Sequence, residues 1–152
     1  MRRDNRLSVT LHVLLHMSEL DGPVTSEKIG PLTRTNPVVF RRTMAGLRDA
    51  GIVRSVKGHG GGWSLARPLT QVTLADVYDA LGLSESRPFR VAARDPGARC
   101  LLERAANRSV DDALAAAESL LVTELRKVTV ASIADDARRH GRIRPLGEKG
   151  TP

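Results

Sequence analysis

Four groups of side chains in this 152-residue chain have types and spacings that chemistry could use. The run Lys57 to Gly62 is basic and almost bare of side chains, so its backbone N–H groups can approach a phosphate closely. Within it, His59-Gly60-Gly61-Gly62 also imitates the oxyanion hole of an esterase. Such an enzyme needs a Gly-x-Ser-x-Gly nucleophile elbow, and the chain has none. No nucleophile–base–orienter set can be assembled from spacing either, so no enzyme is expected. His12 and His16 lie four residues apart, a spacing that puts two imidazoles on one helix face. Without a third protein ligand they read as core-edge histidines, and no metal site is expected. Cys100 is the one cysteine. It follows Pro96-Gly97 at an expected helix N-terminus, with Arg99 and Arg104 nearby, and both features favour a thiolate. It is the candidate redox sensor, working through sulfenic acid or an intersubunit disulfide, against the alternative of an inert buried cysteine. The fourth group, Thr35, Asn36, Val38, Val39, Arg41 and Arg42, clusters at the start of a helix. Valine methyls there suit a thymine methyl, and the arginines suit phosphate or guanine.

The elements that would position these residues can be read from periodicity. Asn36 is a good N-cap and Pro37 a good first helical residue. Phe40, Met44 and Leu47 recur at helical spacing, which leaves Arg41, Arg42 and Arg48 largely off the apolar stripe. Gly51 is placed to end the helix with positive φ. Ile52 to Val56 then alternates as a half-buried strand, and Trp63-Ser64-Leu65 answers it across the glycine turn. Trp63 reads as core beneath the hairpin rather than a stacking platform. A basic helix followed by a basic hairpin is a winged helix-turn-helix. Ahead of it, Leu7 to Leu20 forms a first helix broken by Asp21-Gly22-Pro23. Thr25 or Ser26 caps a short second helix, cut early by Gly30-Pro31. Arg34 lies in the turn that leads into the recognition helix.

After the wing, Thr73 caps a helix from Leu74 to Leu81, and Ser84–Gly97 lacks periodicity. A long helix is expected from about Cys100 to Lys127, near heptad in its later half, with Leu114, Ala117, Leu121 and Leu125 as its dimerisation stripe. A last helix runs from Thr129 to about His140, followed by a frayed tail. The expected organisation is therefore a DNA-binding domain over 1–83, a loop or sensor linker over 84–99, a dimerisation helix and C-terminal helix over 100–140, and a flexible tail over 141–152. The fold class is mainly α with a small β-hairpin wing.

Composition agrees with this reading. The formal net charge of +7 and pI near 10.7 favour a polyanionic partner. No run of 18 apolar residues exists, so no membrane span is expected. The basic, apolar N-terminus is interrupted by His12, His16 and Glu19 at helical period, which argues for a cytoplasmic amphipathic helix rather than a signal peptide.

Several pieces, taken in order, resemble the Rrf-two family of bacterial winged-helix regulators. They are the Leu-rich first helix; Thr25-Ser26 with Ile29; Asn36-Pro37 through Leu47-Arg48-Asp49-Ala50-Gly51-Ile52-Val53; Gly58-His59-Gly60-Gly61-Gly62-Trp63-Ser64-Leu65-Ala66-Arg67; and Val72-Thr73-Leu74-Ala75-Asp76-Val77. The C-terminal Glu118–Ile133 stretch is similar to the family's dimerisation helix and its exit. The resemblance covers roughly residues 7 to 135 and implies a homodimeric transcription factor that binds an imperfect palindrome. Members that hold an iron–sulfur cluster usually supply three cysteines before the dimerisation helix. Here Ser84–Gly97 has none, so the chain resembles the cluster-free branch, and no cofactor is expected.

The function expected from the sequence is a dimeric DNA-binding regulator, a repressor reading an inverted repeat in double-stranded DNA and answering a small molecule or an oxidant. Its DNA-contact candidates are Thr25, Ser26, Arg34, Thr35, Asn36, Val38, Val39, Arg41, Arg42, Lys57, His59, Gly60 and Gly61. The alternative is a dimeric winged-helix module that regulates a partner protein.

Overall fold

The computed structural model describes residues 5–25, 28–29, 37–58, 60–84 and 100–140. Helix α1 spans Arg6–Ser18 and buries Thr10, Val13, Leu14 and Met17 along one stripe. Helix α2 spans Pro37–Asp49, and its Phe40, Met44 and Leu47 enter the same core. Each such side chain contributes about 1.5–3 kcal/mol when removed from water. The end of α2 is closed as its sequence requires. Gly51 takes φ +68, its N–H donates to Arg48 O at 2.9 Å, and the N–H of Ile52 reaches Leu47 O at 2.9 Å. These two bonds satisfy carbonyls the helix leaves orphaned, and Ile52 and Leu47, both fully buried, supply the accompanying apolar contact.

Strands β1 (Val53–Val56) and β2 (Gly62–Leu65) pair antiparallel, with Val53 opposite Leu65 and Ser55 opposite Trp63. The hairpin is not left with two free edges. Val24 bridges to Trp63 through two backbone hydrogen bonds of 2.8 and 2.9 Å. The segment between the first two helices thus acts as a one-residue third strand, which no periodicity could disclose.

Helix α3 spans Leu74–Ala80 and starts in a capping box. Asp76 N–H donates to Thr73 Oγ1 at 3.1 Å, and Thr73 N–H donates to Asp76 Oδ2 at 2.8 Å. The Arg67 guanidinium lies 3.5 Å from the same carboxylate and ties the wing exit to this cap. Helix α2 approaches α3 so closely that a Cβ on Gly46 would run into the carbonyl of Ala80. Only glycine fits there.

Helix α4 spans Leu101–Arg126, with Cys100 as N-cap and Lys127 as C-cap, and α5 spans Val130–His140. None of the 26 residues of α4 is buried. Its exit is nonetheless locked to the winged unit. Leu74 N–H donates to Val128 O at 2.9 Å and Val130 N–H to Val72 O at 2.8 Å. Val130 is fully buried beside Val72 and Val77 in the one core cluster, with Leu121 and Leu125 packed against its edge. An expected DNA-binding unit over 1–83 and dimerisation unit over 100–140 therefore share a single core. Where α3 and α4 meet, the Tyr78 hydroxyl and Glu118 Oε1 are buried without a hydrogen-bond partner. Burial, then Glu118, then Asp79 raise the Tyr78 pKa.

Candidate nucleic-acid interface

The core side of α2 decides what its other side can do. With Phe40, Met44 and Leu47 turned inward, Val38 is 62% exposed and Val39, Arg41 and Arg42 also face solvent. Arg41 and Arg42 have no ion pair among the described residues, so their charge is available to a partner. Arg48 differs. Its guanidinium is held by Asp49, with Nη2 at 2.8 Å and Nε at 3.0 Å from Oδ1. The α2 face thus offers a mixed apolar and cationic patch at its N-terminal half and a neutralised pair at its end.

The wing lies immediately after it in the chain. Lys57 is exposed at the end of β1. The turn closes through Gly61 N–H to Gly58 O at 2.9 Å. Gly60 has φ +79, and a Cβ on Gly61 would collide with the Val56 and Gly58 carbonyls. Glycine at these positions is first a demand of the turn, and the bare tip that results is what an incoming phosphate would meet. Trp63 is half-buried against the core, which matches its reading as packing rather than a platform. Thr25 uses its carbonyl and, at 3.4 Å, its hydroxyl to accept the Lys28 N–H, while Ile29 is buried. It caps the helical turn that includes Lys28 and Ile29. Ser26, Arg34, Thr35, Asn36 and His59 lie outside the described residues, as do the expected linker beyond Ser84 and the tail.

On α4 the expected stripe divides. Leu114, Leu121 and Leu125 are half-buried, the last two against the chain's own core, while Ala117 is exposed. The more exposed surface with apolar residues lies about a third of a turn around the helix. There Leu102, Ala106, Ser109, Ala113, Ala116 and Leu120 recur at alternating four- and three-residue spacing, all exposed, Leu102 to 81% and Leu120 to 62%. Heptad spacing alone could not tell which of two parallel stripes the chain would use for itself.

Cys100 is exposed at the N-terminus of α4. It makes no capping hydrogen bond of good geometry, yet the backbone N–H groups of Glu103 and then Leu102 lower its thiol pKa. His12 and His16 stand together on α1. His12 Nε2 and His16 Nε2 stand 2.8 Å apart with ring centroids 4.6 Å apart. Burial and then His12 lower the His16 pKa, with Glu19 opposing. Among the described residues no three His, Cys, Asp or Glu side chains converge as metal ligands, and no helix is long and apolar enough to cross a membrane.

Comparisons with known proteins agree with this geometry. Residues 3–136 match the Rrf2 (Rrf-two) family, described as iron-dependent transcriptional regulators. The chain is 28% identical over 130 residues to YwnA of Bacillus subtilis (strain 168), covering 86% of this chain and 95% of that one. It is 35% identical over 83 residues to YwgB of the same organism, spanning 53% of each. Both carry the provisional name of HTH-type transcriptional regulator. The chain thus spans about half the length of YwgB and nearly all of YwnA. Among solved structures, one titled as a DNA-binding protein superposes with TM-score 0.66 at 26% identity, over 84% of this chain and 97% of that one. A transcriptional regulator of Lactobacillus plantarum gives TM-score 0.71 at 22% identity over 90% of this chain and 92% of that one, a likeness of fold. The iron in the family's description finds no matching donor set among the described residues. A single cysteine, with no converging triad among the described residues, does not fit a cysteine-held cluster.

Proposed function

From the premise that this chain belongs to the Rrf2 family of transcriptional regulators, we propose that it is a homodimeric repressor that reads an inverted repeat in double-stranded DNA. The observation that carries this reading is the α2 face, where Val38, Val39, Arg41 and Arg42 stand exposed and a glycine-tipped wing follows in the chain. Cations on the helix and at Lys57 supply sequence-independent attraction to phosphates, and the side chains at the start of α2 supply base choice. Thr25, Ser26, Arg34, Thr35, Asn36, His59, Gly60 and Gly61 complete the contact set.

The dimer forms through the outward stripe of α4, since a 26-residue amphipathic helix with no buried residue needs a second apolar face. The pairing carries two recognition helices to half-sites roughly one duplex turn apart, about 34 Å. Cys100 is the oxidant-sensing thiol of this reading, supported by its exposure and its lowered pKa.

Selection of genomic fragments on the purified full chain, with and without peroxide, tests all of this together. Enrichment of one inverted repeat is the expected result, and loss of binding in peroxide that Cys100→Ser abolishes identifies the sensor. A sequence-blind pool that washes off in modest salt would overturn the regulator reading in favour of a protein-partner module.

A further inference from the structure

A groove of about 600 Å³ runs between the hairpin, the end of α1 and α5, away from the α2 face. Met17, Leu20, Leu65, Leu69, Ala131 and Ala134 give it an aliphatic lining with no aromatic ring. Its charges are unevenly satisfied. On the α5 side Arg138 is held by Glu19 and by Asp135, the latter at 3.0 Å. On the wing side Arg54 gives only its Nε, to Ser64 Oγ at 3.0 Å. The two terminal guanidinium nitrogens of Arg54 have no partner among the described residues, and they are the donors that bind a carboxylate in fork geometry. An aliphatic trough with one unsatisfied guanidinium at its rim is complementary to a chain with an anionic head.

We propose that this groove is an effector site for a medium-chain aliphatic monocarboxylate, its head on Arg54 and Ser64 and its tail along Met17, Leu69 and Ala134. Its walls come from the hairpin, the end of α1 and α5. β1 and β2 carry the wing, while α5 follows directly from the exit of α4. A ligand bridging them favours one setting of the wing against the α4 helix, which is all that an effector has to do. This consequence rests on the regulator reading above; the binding itself does not.

The test uses full-length protein carrying methyl-13C methionine, titrated with octanoate and read by NMR. Met17 lines the groove and Met44 lies in the core outside it, so one residue reports the site and the other is an internal control. The expected result is a saturable shift of Met17 with Met44 unmoved, and weakening of at least ~10-fold in Arg54→Gln. Methyl octanoate and octylamine, which lack the anionic head, should bind at least ~10-fold more weakly than octanoate. No Met17 shift, equal binding of the methyl ester, an Arg54→Gln variant that titrates like wild type, or a parallel Met44 shift would each overturn the proposal. A Met17 response that persists when no DNA sequence is selected supports the site and overturns only the regulator reading.

Discussion

Helices α2 and α4 are both amphipathic, and they meet solvent in opposite ways. The α2 helix turns every large apolar residue after its first turn into the core and leaves arginines outside. The α4 helix, twice as long, buries none of its residues and holds Leu102 and Leu120 in water. The difference separates a surface that is finished within one chain from one that is not. A finished surface with unpaired cations asks for a charged ligand; an unfinished apolar one asks for a second apolar face. The first is stabilised by its own core, and the second packs only Leu121 and Leu125 against that core.

Leu47→Ala should break the first half of this contrast most severely. It removes a fully buried side chain that also seals the end of α2. A loss of about 2–5 kcal/mol is expected in urea unfolding, independent of protein concentration. A loss that vanishes at high protein concentration would mean that α2, too, depends on a partner.

Leu120→Asp should act on the other half. It places a charge at the C-terminal end of the outward α4 stripe and should weaken self-association by about 2 kcal/mol or more per interface. Sedimentation velocity would show the shift to monomer, while hydrogen exchange in α2 stays unchanged. Unaltered association would move the dimer contact off this face.

Arg42→Gln separates charge from fold. Stability should hold within about 0.5 kcal/mol, as for exposed positions generally. The slope of log K for DNA against log salt should fall by about 1 per protomer if the guanidinium neutralises one phosphate. An unchanged slope would remove Arg42 from the interface.

The smallest effect concerns pH. Burial and His12 lower the His16 pKa in the folded chain, so the unfolded chain takes up that proton first. The contribution is complete above about pH 6.5, the ordinary histidine value, and is lost as pH falls through the depressed folded value. Urea midpoints measured from pH 7.5 to 5 should decline less steeply in His16→Gln than in wild type. Equal slopes would show that the imidazole pair carries no such linkage.

Much of the winged unit was legible because its signals are local. Pro37, the 40-44-47 stripe and Gly51 agree with the bounds of α2, and Thr73 caps α3 as read, with Asp76 completing a capping box that the reading did not include. Val24 was not legible as a strand, because a single bridging residue has no period. Leu121 and Leu125 were legible as apolar at heptad spacing, while their use was not, since α3 claims them only after the chain turns back at Val128–Val130.

By itself, the sequence determined which segments coil into helices, where they are capped, and that a basic helix precedes a glycine-tipped hairpin. Those properties depend on neighbours within a few residues, whose dihedral preferences and hydrogen bonds act before any long-range contact exists. Only the tertiary structure decided which face of α4 is left open and that Val130 closes the winged core. It also decided that Arg54 and Arg138 stand on one groove with only Arg138 neutralised. These follow from packing between residues far apart in the chain, where volume and charge are matched in space and leave no periodic trace along the backbone.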